Sequence, residues 1–245
     1  MTMPSLLVAG HQPNYLPWLG FFHKLAQADR FMLVDTVQFV KRGEFGWMHR
    51  NKIRTQEGWQ WLSVPVLTKG KRDQEIAAAE INNQVDWRRK HWRAIEFNYR
   101  SAPFFRDYAE PIRAVYEREW TTIGPLAAEL IRVIAGAFSI ETPVELAAAA
   151  NVGGEAHTLL ANICKHYGSS TYLSGPHGRD YLDLADMRSR GVAVVFQQFT
   201  HPVYRQCQPG PFEPGMCALD LLFNEGPRAR DLLLAGPNAA APVSA

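Results

Sequence analysis

A short polar stretch near the start of the chain, HQPNYLPWLG (residues 11–20), carries groups that could do chemistry. His11 is the only side chain there whose ordinary pKa lies near neutrality, so it is the natural candidate for a general acid or base. Two prolines fix backbone φ angles and stiffen the loop, so Gln12, Asn14 and Tyr15 could be aimed at a ligand at little entropic cost. The same residues could instead satisfy backbone groups in a tight turn.

A second polar stretch, residues 35–52, begins with an acid that directly follows the apolar run FMLV. At the end of a buried strand, Asp35 could orient His11, bind a substrate nitrogen, or hold a phosphate through Mg²⁺. Arginine matches phosphate groups through paired hydrogen bonds, which favours an anionic substrate. The candidate binding residues here are Gln38, Arg42, Arg50 and Asn51. A surface hairpin with scattered charges is the simpler interpretation.

The third stretch, TYLSGPHGRDYLD (residues 171–183), places glycines between a strand and a helix. Such a loop can present backbone N–H groups to an anion. It contains neither a Walker A loop nor a GxGxxG fingerprint, and it lacks the G-x-S-x-G elbow of serine hydrolases. Arg179 and Asp180 are expected to open the following helix, where the helix dipole also gives Asp180 a purely structural explanation. The candidate binding residues in this stretch are Ser174, Gly175, Arg179, Asp180 and Tyr181.

The fourth stretch, FQQFTHPVY (residues 196–204), contributes His201 as a second acid, base or ligand contact, although a plain turn histidine is the simpler interpretation. The chain has three cysteines and no CxxC or Cys/His spacing typical of zinc sites, so we expect no metal centre and reduced thiols. Cys164 lies in the apolar pattern of a helix and is expected to be a small buried hydrophobe.

The elements around the first two stretches favour a parallel sheet. Residues 5–10 read as a buried strand, residues 18–29 as a helix, and residues 31–35 as a second buried strand. Such a unit favours a right-handed parallel crossover, in which both strands end at the same edge of the sheet. Sites in α/β folds lie at the carboxyl ends of strands, so His11 and Asp35 are expected to face one crevice.

The remaining segments extend this pattern on both sides of a helical region. We predict a strand at 59–66, then helices between about 86 and 138, one capped by Asp86 and one interrupted near Pro111. Strands follow at 143–147, 171–175 and 192–199, with helices between them that end at Gly168 and Gly191. The prediction is a single α/β domain over residues 1–236, with a mainly parallel sheet of Rossmann-like units and a helical insertion. A flexible tail is expected at 237–245.

The composition places limits on the class of protein. Hydrophobic residues make up 47% of the 245 residues and charged residues 20%, as in ordinary soluble globular proteins. The net charge of +2 does not indicate nucleic-acid binding, and no apolar run is long enough for a membrane span. The first residues lack the pattern of a signal peptide, so a cytoplasmic location is expected. The seven tryptophans fit core packing, or a surface on which sugars or bases stack.

Taken in order, these stretches resemble the WbqC-like protein family. The resemblance rests on HQPNYLPWLGFFHKLAQADRF, LVDTVQFVKRGEFGWMHRNKIRT, GWQWLSVPV, WRRKHWRAIEFNYRSAPFF, TYLSGPHGRDYLD and FQQFTHPVY, and it runs from Leu6 to about Leu234. The residues matching its recurring motifs are His11, Gln12, Asn14, Tyr15, Asp35, Gln38, Arg50, Asn51, Ser174, Gly175, Arg179, Asp180 and Tyr181. Relatives often carry a second acid after the position of Asp35, where this chain has Thr36, which argues against a paired-carboxylate metal site.

The resemblance implies a bacterial enzyme of surface polysaccharide or natural-product biosynthesis, for example of the O-antigen of lipopolysaccharide. The expected reaction is transfer of an acyl or aminoacyl group to an amine, such as that of a nucleotide-linked amino sugar. His11 would be the general base, Asp35 its partner, and the Ser174-Gly175 loop the donor of N–H groups to an oxyanion. A basic face around Arg88 and Arg89 could dock an acidic acyl or aminoacyl carrier protein.

Two other functions remain open at this point. The order of strand, histidine loop, Leu-Gly, helix and Asp-terminated strand also resembles HIGH-type nucleotidyltransferases, although no KMSKS-like element follows. An ATP-using nucleotidyltransferase or amide ligase would bind ATP and Mg²⁺, whereas the sequence by itself requires no cofactor. The chain could also be a non-catalytic module that binds a glycan or a pathway protein.

Overall fold

The structure is a computed structural model of the chain, and it describes residues 6–41 and 48–236. The predicted binding residue Arg42 and the predicted tail at 237–245 lie outside the described residues. The strands are β1 (Leu7–His11), β2 (Arg30–Leu33), β3 (Arg50–Thr55), β4 (Gly58–Ser63), β5 (Val144–Leu146), β6 (Thr171–Ser174) and β7 (Ala193–Phe196). The helices are α1 (Leu19–Gln27), α2 (Trp87–Tyr99), α3 (Phe105–Glu117), α4 (Ile123–Ala137), α5 (Ala156–His166), α6 (Leu184–Ser189), α7 (Leu219–Glu225) and α8 (Ala229–Leu234).

Five parallel strands form the main sheet, in the order β5-β2-β1-β6-β7. The chain starts in the middle strand, moves outward through β2 to β5, then returns to the other side of β1 for β6 and β7. The strand order therefore reverses between β1 and β6, which makes that gap the topological switch point of the sheet. This confirms the predicted Rossmann-like α/β fold with parallel crossovers.

Strand pairing differs on the two sides of β1. Towards β2 the pairing continues to His11 and Leu33, and the N–H of Val34 donates to the carbonyl of His11 at 2.8 Å. Towards β6 it ends at Ala9 and Leu173. The last two residues of β1 therefore have no strand partner on the β6 side. We call this split between the carboxyl ends of β1 and β6 the crevice.

Two hydrophobic layers cover the sheet. Helices α1, α4 and α8 pack on one face, where Phe22, Phe31 and Ile131 belong to the larger core cluster. Helices α5 and α6 pack on the other face, where Ile163 and Met187 contact the side chains of the alternate strand positions. The central strands β1, β2 and β6 are thus buried on both faces, as expected for a parallel sheet.

A separate antiparallel hairpin of β3 and β4 packs beside the helical region formed by α2, α3 and α4. The predicted strand at 59–66 is confirmed as β4. Its partner β3 begins at the end of the second polar stretch, residues 35–52, for which a surface hairpin was the simpler interpretation. No helix among the described ranges combines the length and apolarity needed to traverse a bilayer.

Three local predictions were wrong. Helix α3 continues through Pro111. Asp86 occupies the N-cap position of α2, but its carboxylate binds the guanidinium of Arg89 and makes no capping hydrogen bond. The helix expected to start near Arg179 begins only at Leu184, because the carboxylate of Asp183 caps it through the N–H groups of Ala185 and Asp186, and the preceding residues form a 3₁₀ turn.

Candidate functional site

The imidazole of His11 lies at the carboxyl end of β1, beside the switch point. Its Nδ1 is 2.9 Å from the carbonyl oxygen of Gln12, and because a carbonyl can only accept, Nδ1 carries the proton. Nε2 then holds the free lone pair, and it makes no hydrogen bond to the described residues. Burial, and then the charge of Lys24, lower the pKa of His11 to about 4. The ring is therefore neutral at pH 7 and able to accept a proton.

Lys24 of α1 is a part of this site that the sequence analysis missed. The side chain crosses the sheet surface, and its Nζ donates to the carbonyl oxygen of Gly10 at 2.8 Å. Only 4% of the residue is exposed, and burial lowers the pKa of the ammonium group to about 7. A buried cation thus lies next to His11 at the point where the strand order reverses.

Tyr172 of β6 lies on the opposite side of the same crevice. The hydroxyl of Tyr172 donates to the carbonyl oxygen of Gly10 at 3.3 Å, so it shares this acceptor with Lys24. Burial, and then the nearby Tyr181, raise the pKa of Tyr172, which keeps it a neutral donor. Tyr181 itself is 70% exposed, and the guanidinium of Arg179 stacks 4.3 Å from the ring centroid of Phe196 at the end of β7. The predicted residues Arg179 and Tyr181 therefore lie on the loop that follows β6, and their binding role stays a prediction.

Asp35 lies at the end of β2 as predicted, but its carboxylate is used elsewhere. Oδ1 accepts the N–H of Ala148, just after β5, at 2.9 Å, and the side chain packs on Gly124 in the first turn of α4. Burial raises the pKa of Asp35, while the backbone N–H groups oppose the shift. No hydrogen bond links it to His11 among the described residues. The expectation that Asp35 orients His11 is thus not supported; the carboxylate joins β2, β5 and α4.

The loop after His11 divides its side chains between two environments. Gln12 is part-exposed and Asn14 is 7% exposed, and neither side chain hydrogen-bonds to the described residues. Tyr15, by contrast, is fully buried, and its hydroxyl bonds to Tyr116 and, at 2.8 Å, to Nδ1 of His91. Tyr15 is therefore held in the core and does not face the crevice.

The hairpin holds this loop in a strained conformation. Leu16 adopts a positive φ of 47°, which is unfavourable for a branched side chain. The amide of Asn51 donates to the carbonyl of Leu16, and the N–H of Tyr15 donates to the carbonyl of Met48 at 3.0 Å. Asn51 was predicted to bind substrate, but it is 2% exposed and fixes the shape of the loop that carries His11.

The loop after β6 contains a close approach that requires glycine. A Cβ on Gly178 would lie 2.0 Å from the Oγ of Ser174, so the absence of a side chain lets this turn close over the strand end. Ser174 is buried, and its hydroxyl donates to the carbonyl of Gly175 at 3.2 Å. The N–H of Gly178 is used within the turn, where it donates to the same carbonyl at 3.0 Å. It is therefore not available to an anion, whereas Gly175 remains at the crevice.

The other predicted binding residues lie apart from this crevice. Gln38 is exposed and donates to the carbonyl of Arg72, and Asp180 is exposed and pairs with His177 at 3.5 Å. Arg50 lies on the hairpin, with its guanidinium 4.5 Å from the ring centroid of Trp61. His201 is a turn residue: Nδ1 donates to the carbonyl of Pro202, and Nε2 accepts the N–H of Gly215 at 3.3 Å.

The described part of the chain offers no group of three or more His, Cys, Asp or Glu side chains that could hold a metal ion. Its three cysteines are free thiols. Burial raises the pKa of Cys164 to about 12, so this thiol remains protonated and is a poor nucleophile. The groups described in and around the crevice are an imidazole, an ammonium, hydroxyls and amides.

Comparisons with known proteins match the sequence to one family. The profile of the WbqC-like protein family matches residues 12–232. A Mycobacterium tuberculosis protein, described as uncharacterized protein Rv1507c, is 36% identical over 229 residues, which cover 92% of this chain and 96% of the relative. No solved structure matches significantly. The chain belongs to the WbqC-like protein family.

Proposed function

We propose that the chain is a group transferase that forms an amide, by moving an acyl or aminoacyl group onto an amine. The single observation that carries this proposal is the position of His11. Its imidazole stands at the switch point, fixed through Nδ1 and with Nε2 unbonded to the described residues. A neutral imidazole held in this way can accept the proton that an amine must lose during amide formation.

The chemical step balances with few participants. The nitrogen of the amine attacks the acyl carbon, the bond between that carbon and the leaving group breaks, and the proton of the nitrogen passes to Nε2 of His11. The developing negative charge on the acyl oxygen needs donors. The proposed donors are the guanidinium of Arg179 and the hydroxyl of Tyr181, on the loop that follows β6 and begins at Gly175, whereas the hydroxyl of Tyr172 is already used by the carbonyl of Gly10.

The amides of Gln12 and Asn14, which make no hydrogen bond to the described residues, would recognise the polar part of the substrate. Amide side chains both donate and accept hydrogen bonds, so they can pair with a ligand that carries both kinds of group. The hydroxyl and amine groups of an amino sugar offer both donors and acceptors. The proposed acceptor is therefore an amino sugar linked to a nucleotide, in bacterial polysaccharide or natural-product synthesis.

A carrier protein is the proposed source of the acyl or aminoacyl group. A surface groove of about 490 Å³ along α2 is lined by Arg88, Arg89, Arg93 and Arg113 among other residues. Acidic neighbours pair with several of these arginines, for example Asp86 with Arg89, so the groove is mixed in charge. An acidic carrier would have to compete with these internal pairs.

Turnover by a His11→Gln variant tests the proposal. Purified protein is incubated with acyl and aminoacyl donors, free or carrier-linked, and nucleotide-linked amino sugars, and amide products are detected by mass spectrometry. We expect product from the natural sequence and a loss of about a hundredfold or more in His11→Gln, as is usual for removal of a general base. The matched control is His166→Gln at the exposed end of α5, where activity should persist. Equal turnover in both variants would refute the role of His11.

A second candidate, an ATP-using nucleotidyltransferase or amide ligase, is favoured by the switch point itself. Nucleotides bind at this position in doubly wound sheets, and the buried Lys24 offers a cation there. Calorimetry with ATP and Mg²⁺, together with an assay for released pyrophosphate, separates it from the first candidate. A saccharide that changes tryptophan fluorescence without any product would instead favour a binding module.

A further inference from the structure

We propose that the ammonium group of Lys24 binds an oxyanion of the substrate, a phosphate or a carboxylate, in the crevice between β1 and β6. The inference deepens the proposed function, because it names the chemical class recognised at the same site. It starts from the burial of Lys24, of which 4% is exposed, and from the direction of its side chain, which runs from α1 to the last residues of β1.

The first argument is the absence of a counter-ion. The structure shows no carboxylate within ion-pair distance of Lys24 in residues 6–41 and 48–236. Asp35, the acid at the end of the neighbouring strand, is engaged with the N–H of Ala148. A buried charge without a partner is strongly disfavoured, and proteins keep such groups where a ligand or a reaction uses them.

The second argument is the number of donors. An ammonium group has three N–H donors, and the described residues provide one acceptor, the carbonyl oxygen of Gly10. The aromatic rings of Phe31 and Tyr172 lie 6.0 and 5.9 Å from Nζ and supply only a weak attraction. An oxyanion would satisfy the two remaining donors and would neutralise the charge.

The third argument is the polarity of the neighbours. The polar side-chain groups closest to Nζ are the imidazole of His11 and the hydroxyl of Tyr172, while Arg179 and Tyr181 lie on the loop that follows β6. None of these groups is a carboxylate, and the low pKa of His11 keeps its imidazole neutral, so no negative charge on these groups competes with a bound anion. A switch-point crevice is also where α/β folds bind the anionic part of their ligands.

Binding of simple oxyanions to the full-length chain tests the inference. Isothermal titration calorimetry with sodium pyrophosphate and, separately, sodium acetate distinguishes a phosphate group from a carboxylate. We expect saturable binding of at least one probe, and at least a tenfold weaker affinity in Lys24→Met. The matched control, Lys165→Met at the exposed end of α5, should bind as the natural sequence does. Equal affinity in Lys24→Met, or no saturable binding of either probe, would overturn the inference.

A measurement on the natural sequence avoids dependence on the folding of the variant. With lysine labelled at Cε, the NMR titration of Lys24 is followed with and without the probe. We expect the bound oxyanion to raise the apparent pKa by about one pH unit or more, because it favours the charged form. An unchanged titration at saturating probe would contradict the proposal. Failure here would leave the His11→Gln turnover test intact, and a negative turnover result would not affect oxyanion binding, so the two claims fail separately.

Discussion

Replacing Lys24 by methionine should change how the stability of the protein depends on pH. Methionine keeps the apolar stem of the side chain and removes the titrating group. Burial lowers the pKa of Lys24 from 10.5 to about 7 in the folded state. The unfolded chain therefore holds this proton more tightly than the folded chain does. The contribution of Lys24 to the free energy of unfolding is therefore most favourable above pH 10.5, the pKa of the unfolded state. This contribution is lost as the pH falls through about 7, the pKa of the folded state.

The size of the effect follows from this pair of pKa values. At pH 9 the folded state has lost almost the whole proton while the unfolded state retains it, so the slope approaches about 1.4 kcal/mol per pH unit. At pH 7 the folded lysine is half protonated, and the slope is about half as large. Summed from pH 7 to pH 9, the free energy of unfolding of the natural sequence should rise by about 2 kcal/mol relative to Lys24→Met.

Urea unfolding followed by tryptophan fluorescence at pH 7, 8 and 9 measures this difference. Taking the difference between two proteins cancels every other titrating group that the substitution leaves unchanged. Lys165→Met serves as the control, and its difference from the natural sequence should stay flat because this side chain is exposed. Parallel curves for the natural sequence and Lys24→Met, within about 0.5 kcal/mol, would refute the burial of a titrating ammonium group at the switch point.

Three further predictions concern the same region. Gly178→Ala should destabilise the protein by about 1–3 kcal/mol, because the new Cβ would lie 2.0 Å from the Oγ of Ser174. The loss should be much smaller in a Ser174→Ala background, where the tightest remaining contacts are 3.1 Å, and chemical denaturation of the double-mutant cycle measures both values. Asn51→Ala should cost about 1–3 kcal/mol, because it leaves a buried loop carbonyl without its donor, and thermal unfolding measures the loss. In Lys24→Met the pKa of His11 should rise from about 4 by roughly one pH unit while staying below 6.5, since burial remains its larger cause; histidine NMR titration tests it.

Much of the fold could be predicted because apolar runs and glycines carry its signal locally. The unit from β1 through α1 to β2 follows from two buried runs joined by a helical pattern, and chirality then fixes a parallel crossover. The end of α5 was marked by Gly168, whose φ of 64° is easily reached only by glycine. Pro111 misled the prediction because a proline does not always break a helix that tertiary packing supports.

The site was predicted less completely, because the partners of its side chains lie far away in sequence. An acid after a buried strand can serve catalysis or bind backbone N–H groups, and only the fold shows that Asp35 meets Ala148, which is 113 positions later. Tyr15 and Asn51 likewise matched a polar motif, yet their contacts lie in the core. One signal for Lys24 was present in the sequence: α1 is apolar on nearly all sides, so its polar residues had to be buried with it.

The proximity of Lys24 and His11 gives the proposed reaction an order of events. The charge of Lys24 is one cause of the low pKa of His11, so the imidazole is a weak base while the crevice is empty of anions. A substrate oxyanion bound to Lys24 would cancel that charge and raise the basicity of His11. Proton acceptance from the amine would then follow binding of the anionic substrate and would not precede it. Such an order protects an activated acyl group, because the base gains strength only when the substrate occupies the crevice and excludes water.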